Sequence, residues 1–206
     1  MIQNYEKLRI AIQYWQVGRG FHNALRAMNF ASKKHIGFRK DNVTPEFQHQ
    51  VSQANYARTL IKDFKYPEET MTTIWLHDVC EDYGVSNQEI VNLFGRRVGH
   101  SVELMTNQIS GIKKPTASYY HEMQFDPIAS LNKGIDRIHN HQSMQGVFTR
   151  EKQSAYISET EEYILPMLKE ARKNFPEQES AYQNIRQVLL TQIDLIRVIS
   201  GFPNNN

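Results

Sequence analysis

The segment Ile74-Trp75-Leu76-His77-Asp78-Val79-Cys80-Glu81-Asp82 sets an imidazole and three carboxylates among apolar neighbours. On a helix His77 and Glu81 lie four residues apart, as do Asp78 and Asp82, so the two pairs form adjacent rows on one side. Carboxylates crowded in this way repel one another unless a cation compensates them. The flanking Ile74, Trp75, Leu76, Val79 and Cys80 imply burial, where uncompensated charge is costly. Metal coordination meets both demands, and a solvated acidic face with one hydrogen-bonded histidine is the competing reading of this segment taken alone. Farther along, Lys133-Gly134-Ile135-Asp136-Arg137-Ile138-His139-Asn140 sets a single carboxylate among basic and amide groups. Alone it reads as an ion pair on a helix. His49 says as little by itself as His22, His35, His100, His121, His139 or His141.

The elements that must position these groups are helices. Tyr5, Leu8, Ile12 and Trp15 recur at helical spacing up to the Gly18 to Gly20 turn, and Phe21, Ala24, Leu25, Met28 and Ala31 form a second stripe. Periodicity stops from His35 to Phe47, where Lys40, Asp41, Asn42 and Pro45 accumulate, so a loop and candidate binding segment is predicted there, leading into a helix over His49 to Phe64. Pro67 with Glu68 and Glu69 suits the first turn of the helix that carries WLHDVCED. Ser86 with Glu89 is a capping-box signature for a short helix that Gly95 closes, and Val98, Val102 and Met105 mark the next. Gly111 to Tyr120 reads as loop, a helix from about Pro127 carries KGIDRIHN, and two long helices follow, the first kinked at Pro166.

Composition narrows the class. The chain has 206 residues, enough for one helical domain with a substantial core. Lysine and arginine total 24 against 22 acidic residues, which gives no general case for nucleic-acid binding. The single Cys80 forms no internal disulfide, the amino terminus lacks the apolar run of a signal peptide, and no stretch approaches the ~20 apolar residues of a membrane helix. A soluble, cytoplasmic protein is expected.

Taken together, the pieces resemble the hydrolase domain of the RelA/SpoT family. The likeness begins at Ala27 and Phe30-Ala31 and runs through His35, Gly37, Arg39-Lys40 and His49. It continues through Leu76 to Asp82, Ile90 and Phe94-Gly95, and ends in Asp136-Arg137-Ile138-His139-Asn140 with Ser143. The resemblance implies an all-α HD-domain bundle of roughly eight to ten helices. The whole chain, 1–206, is expected to form one such domain, with an HD core at about 20–150 and a helical extension at about 151–200. By the same resemblance His49, His77, Asp78 and Asp136 hold one divalent metal, usually manganese, although two imidazoles and two carboxylates would equally tolerate iron, cobalt or zinc. Glu81 and Asp82 match the catalytic acidic pair that orients or deprotonates an attacking water. Arg39 matches the arginine that packs on the guanine base, Lys40 accompanies it, and Asn140 and Ser143 match residues that hold the ribose and phosphate region.

Two departures from the family pattern stand out. The usual His-Pro is His49-Gln50, and the loop between Arg39 and His49 is one residue longer, with Asp41-Asn42-Val43-Thr44 at its turn. The chain beyond Asn140 runs directly into helices, which points to a stand-alone hydrolase. Three functions remain open at this stage. The first is removal of the 3′-pyrophosphate of guanosine tetra- or pentaphosphate. The second is a phosphatase on another nucleotide such as NADPH, and the third a nucleotide-binding regulatory module without catalysis. A small nucleotide partner is common to all three, and neither nucleic acid nor membrane is expected.

Overall fold

The computed structural model describes residues 2–109 and 111–202. Helices α1 (Ile2–Arg19), α2 (His22–Ser32) and α3 (Gln48–Ala57) come first, α3 running into a 3₁₀ turn at Arg58–Asp63. Next are α4 (Pro67–Leu76), α5 (Val79–Tyr83), α6 (Asn87–Phe94) and α7 (Arg96–Met105), then the short antiparallel strands β1 (Gln108–Ile109) and β2 (Ile112–Lys113). The chain continues through α8 (Thr116–Met123), α9 (Ala129–Ser143), α10 (Arg150–Glu159), α11 (Leu165–Asn174) and α12 (Glu179–Ser200). The fold is the expected all-α bundle. If α4 with α5 and α10 with α11 are counted as single interrupted rods, the described residues form ten rods. Among them no helix is long and apolar enough to cross a membrane.

Local signals act as their chemistry requires. The Ser86 hydroxyl accepts from the Glu89 N–H at 3.1 Å and caps α6, which Gly95 ends at φ 92°. Pro67 opens α4, and Glu68 in its first turn accepts the Asn23 N–H at 2.7 Å, pinning α2 to α4.

Four stretches differ from the sequence reading. The helix through WLHDVCED is interrupted at His77-Asp78, because the His77 imidazole donates to the Ile74 carbonyl at 2.9 Å and competes for the oxygen that the next turn would use. The predicted loop from Gly111 to Tyr120 contains β2 and much of α8; its polar composition hides a helix that forms because Tyr119, Tyr120 and Met123 are buried. The helix expected to reach Phe64 tightens to 3₁₀ geometry after Ala57. Pro166 is accommodated by a π-helical turn at Thr160–Ile164, in which the Leu165 N–H reaches back to Thr160. The proline has no N–H for the Glu162 carbonyl and its ring crowds that group, so the turn before it widens.

One core gathers the fully buried Met71, Ile74, Trp75 and Leu76 of α4, Leu131 and Ile135 of α9, and Leu168, Tyr182, Ile185 and Leu189 of the carboxy-terminal helices. Each such side chain contributes about 1.5–3 kcal/mol, so α9 is clamped from both sides. Gly134 allows this, since a Cβ there would lie 2.6 Å from Ile185 Cγ2 and 3.1 Å from Leu168 Cδ2. A smaller cluster of Met144, Ile157, Ile193 and Ile196 ties α10 to the far end of α9 and to α12. The outcome is a rigid seat for Asp136.

Candidate metal centre and pocket

Three elements deliver the chemistry. His49 stands on α3, His77 and Asp78 occupy the break between α4 and α5, and Asp136 lies on α9. Donor atoms of His49, His77 and Asp78 all lie within 4.8 Å of one another. Asp136 Oδ1 joins them at 3.1 Å from His49 Nε2 and 3.9 Å from His77 Nε2. His77 Nε2 sits 2.9 Å from Asp78 Oδ2. Residues far apart in sequence thus converge on one point.

The residues fit a divalent cation. His77 spends its Nδ1 proton on the Ile74 carbonyl, so in the neutral ring Nε2 carries a lone pair that faces two carboxylates and has no hydrogen-bond partner. Lone pairs aimed at one another require a positive charge between them. In the metal-free chain a proton fills that need. Burial pulls the His77 pKa down, but the adjacent Asp78 carboxylate outweighs it and lifts it to about 9. Burial likewise pushes Asp78 up, and the His77 charge overrides it to hold Asp78 at about 2. Asp136 is held well below the carboxylate range, against burial, chiefly by Lys133, whose Nζ lies 3.3 Å from Oδ2.

His139 was uninformative in the sequence, yet its Nδ1 lies 2.7 Å from His49 Nδ1. Burial, with the His49 and Arg39 charges, lowers the His139 pKa to about 2, so His139 stays neutral and can accept the His49 Nδ1 proton. That bond puts the His49 lone pair on Nε2, the atom that faces Asp136 Oδ1 and would meet a cation. Helical spacing from Asp136 to His139 and Asn140 carries part of this signal, since Asn140 Nδ2 also reaches back to Asp136 Oδ1 at 2.8 Å. The pairing of His49 with His139 becomes visible only once α3 lies against α9.

Above the centre opens a pocket of about 620 Å³. Its wall includes Asp82, exposed, whose pKa is raised to about 6 by partial desolvation and by the carboxylates of Asp78, Glu81 and Glu46. Glu81 points elsewhere; its Oε2 accepts the Asn107 N–H at 2.8 Å, outside the pocket lining. Arg39 lies at the rim and donates to Ser143 Oγ at 3.2 Å, bringing the loop to the end of α9. Lys40 stands with its Nζ 5.3 Å from the centre of the Phe148 ring.

The loop that carries Arg39 and Lys40 is well tied. Arg39 N–H donates to the Thr44 carbonyl at 2.8 Å and Asp41 Oδ1 accepts the N–H groups of Val43 and Thr44. Val147, Phe148 and Tyr156, beyond α9, complete the wall, a contribution the sequence reading did not assign. Gln50, in place of the family's proline, is buried and sets its Nε2 3.2 Å from His35 and 3.4 Å from Asp78 Oδ2.

Comparison with known proteins gives a consistent picture. Residues 27–126 match the HD domain family. The chain is 26% identical over 154 residues to the GTP pyrophosphokinase rsh of Brucella melitensis, covering 69% of this chain and 19% of that protein. It is 32% identical over 148 residues to the guanosine-3′,5′-bis(diphosphate) 3′-pyrophosphohydrolase of Aquifex aeolicus, covering 69% and 20%. The chain therefore spans about a fifth of the length of the curated relatives it matches. Among solved structures, a metazoan ortholog of SpoT described as hydrolyzing ppGpp aligns with a TM-score of 0.61 at 19% identity, covering 88% of this chain and 97% of that one. That likeness shows the fold.

Proposed function

The chain carries an HD domain related to the hydrolase domain of the RelA/SpoT proteins, and from that premise we propose a metal-dependent nucleotide phosphohydrolase. Its proposed reaction is removal of the 3′-pyrophosphate from guanosine 3′,5′-bis(diphosphate). The carrying observation is the convergence of His49, His77, Asp78 and Asp136, with His77 Nε2 2.9 Å from Asp78 Oδ2 and 3.9 Å from Asp136 Oδ1, beside a pocket that holds Asp82 and Arg39. In this reading residues 20–150 form the catalytic core, and the extension at 151–200 braces α9 and adds Tyr156 to the wall.

Those four residues would hold a divalent cation, manganese by analogy with the family, and the chemistry it would supply is Lewis-acid polarisation of the phosphoryl group and of the attacking water. The remaining work falls to side chains. Asp82, ionised at neutral pH, aligns the water and accepts its proton as the water oxygen attacks phosphorus. Glu81 raises the proton affinity of Asp82 through its charge while staying fixed on the Asn107 N–H. The bond from phosphorus to the ribose 3′-oxygen breaks, the 3′-oxygen takes up a proton, and pyrophosphate leaves. Arg39 packs its planar guanidinium on the base and, with Lys40, Asn140 and Ser143, holds the nucleoside and its phosphates.

The test is to incubate the manganese-loaded protein with guanosine 3′,5′-bis(diphosphate), NADPH and common nucleotides and identify the phosphate species released. Pyrophosphate from the first compound is the expected result. Orthophosphate from NADPH alone would transfer the reading to a 2′-phosphatase, and no release from any compound would remove catalysis from it.

A further inference from the structure

Gln53 stands one helical turn beyond His49, on the same face of α3. It is 1% exposed. Its Nε2 lies 2.6 Å from His49 Nε2 and 3.4 Å from Asp136 Oδ1, while its Oε1 is buried without any hydrogen-bond partner. The amide therefore presses against two of the four donor atoms of the metal centre, with its N–H groups on lone pairs that a cation would claim.

A purely orienting role does not account for this placement. A group that orients a metal ligand bonds the atom facing away from the metal. Those positions already have partners: His139 on His49 Nδ1 at 2.7 Å, and Lys133 on Asp136 Oδ2 at 3.3 Å. Asn140 further restrains Asp136 at 2.8 Å from Oδ1. Gln53 instead approaches the face where His49 and Asp136 meet. A half-turn of its last torsion exchanges Oε1 and Nε2, and Oε1 gives up no hydrogen bond in doing so. With a cation present, N–H groups on that side are repelled and the carbonyl oxygen is attracted.

We propose that Gln53 is a further metal ligand, giving its side-chain amide oxygen to the divalent cation held by His49, His77, Asp78 and Asp136. The proposal rests on the metal-centre reading above. Five protein donors, three of them oxygen, favour a cation of higher coordination number such as manganese over tetrahedral zinc, and leave one position fewer for solvent.

Calorimetric titration of chelator-treated protein with Mn²⁺, together with water-proton relaxation of the bound ion, tests this without an activity readout. In Gln53→Leu the Mn²⁺ affinity should fall at least about tenfold, the lower bound for losing even a supporting partner of a metal ligand. The relaxation enhancement should rise as solvent takes the vacated position. Gln53→Glu keeps the side chain's length, adds charge, and should bind Mn²⁺ more tightly than the wild type, a check that holds even if Gln53→Leu fails to fold. Wild-type affinity and relaxation in Gln53→Leu, or affinity no higher than wild type in Gln53→Glu, overturns the proposal alone. A wild-type chain that takes up no Mn²⁺ overturns the metal-centre reading and this proposal with it.

Discussion

The floor and the rim of the pocket are built on opposite principles. On the floor, His49, His77 and Asp136 are almost wholly buried and stand on or between helices that share one core. At the rim, Arg39 and Lys40 lie in a loop whose order comes from backbone hydrogen bonds and Asp41, and Lys40 is exposed. Buried groups on packed helices hold their geometry when substrate changes, which suits bond breaking. Exposed groups on a loop can be exchanged at little cost to the fold, which would suit selection of the proposed nucleotide. The departures from the family pattern at Asp41 to Thr44 fall on the rim.

The largest expected effect is on the floor. Asp78→Ala removes a proposed metal ligand and leaves His77 Nε2 without the carboxylate 2.9 Å away, so stoichiometric metal and turnover should both vanish, as read by elemental analysis and product formation. Full metal occupancy in this variant would separate Asp78 from the centre. Next come the acidic pair beside it. Asp82→Asn should lower kcat by roughly 10²–10⁴ while metal content holds, the usual cost of losing a positioned acid–base group. Glu81→Gln should lower it less, because its carboxylate acts through charge and through the Asn107 N–H. Equal losses in the two variants would place Glu81 in the same role as Asp82.

The rim should respond differently. In the proposed role Arg39 gives stacking and charge equally in ground and transition states, so in Arg39→Ala KM should rise by on the order of tenfold with kcat nearly unchanged. A fall in kcat alone would move Arg39 from selection to chemistry. The smallest expected effect is a pH slope in stability. The folded pKa of His77 lies above its unfolded value, so in chelated protein the stabilisation from its pairing with Asp78 is complete below about pH 6.5 and is lost as pH rises through about 9. Asp41 at the rim, held at about 2 by hydrogen bonds from Thr44 and Val43, does not titrate in that window. Melting temperature should therefore fall by a few degrees from pH 6.5 to 9.5, and the slope should flatten in Asp78→Asn but persist in Asp41→Asn. A slope of equal size in both variants would detach it from the floor.

The same division governs how much the sequence discloses. The candidate ligands were legible from the order of His49, His77-Asp78 and Asp136 and the resemblance it carries, and the bundle followed from apolar periodicity and from signals such as Ser86 with Glu89. The break at His77-Asp78 was not legible, since it depends on an imidazole competing for the Ile74 carbonyl. Helix α8 was hidden because burial of Tyr119, Tyr120 and Met123, rather than propensity, stabilises it. His139 and Gln53 acquire meaning only when α3 and α9 are brought side by side. The wall from Val147 to Tyr156 lies beyond the resemblance, and only packing places it at the pocket.

The claim that three separate elements make one metal centre is tested most directly by calorimetric titration of chelated protein with Mn²⁺, comparing wild type with Asp136→Ala. Asp136 lies outside the matched HD segment 27–126 and shares no element with His49 or His77. The wild type should bind one ion per chain, and the variant, its helical content checked by circular dichroism, should bind none with measurable affinity. One ion bound by both with the same affinity would contradict the convergence on which the account stands.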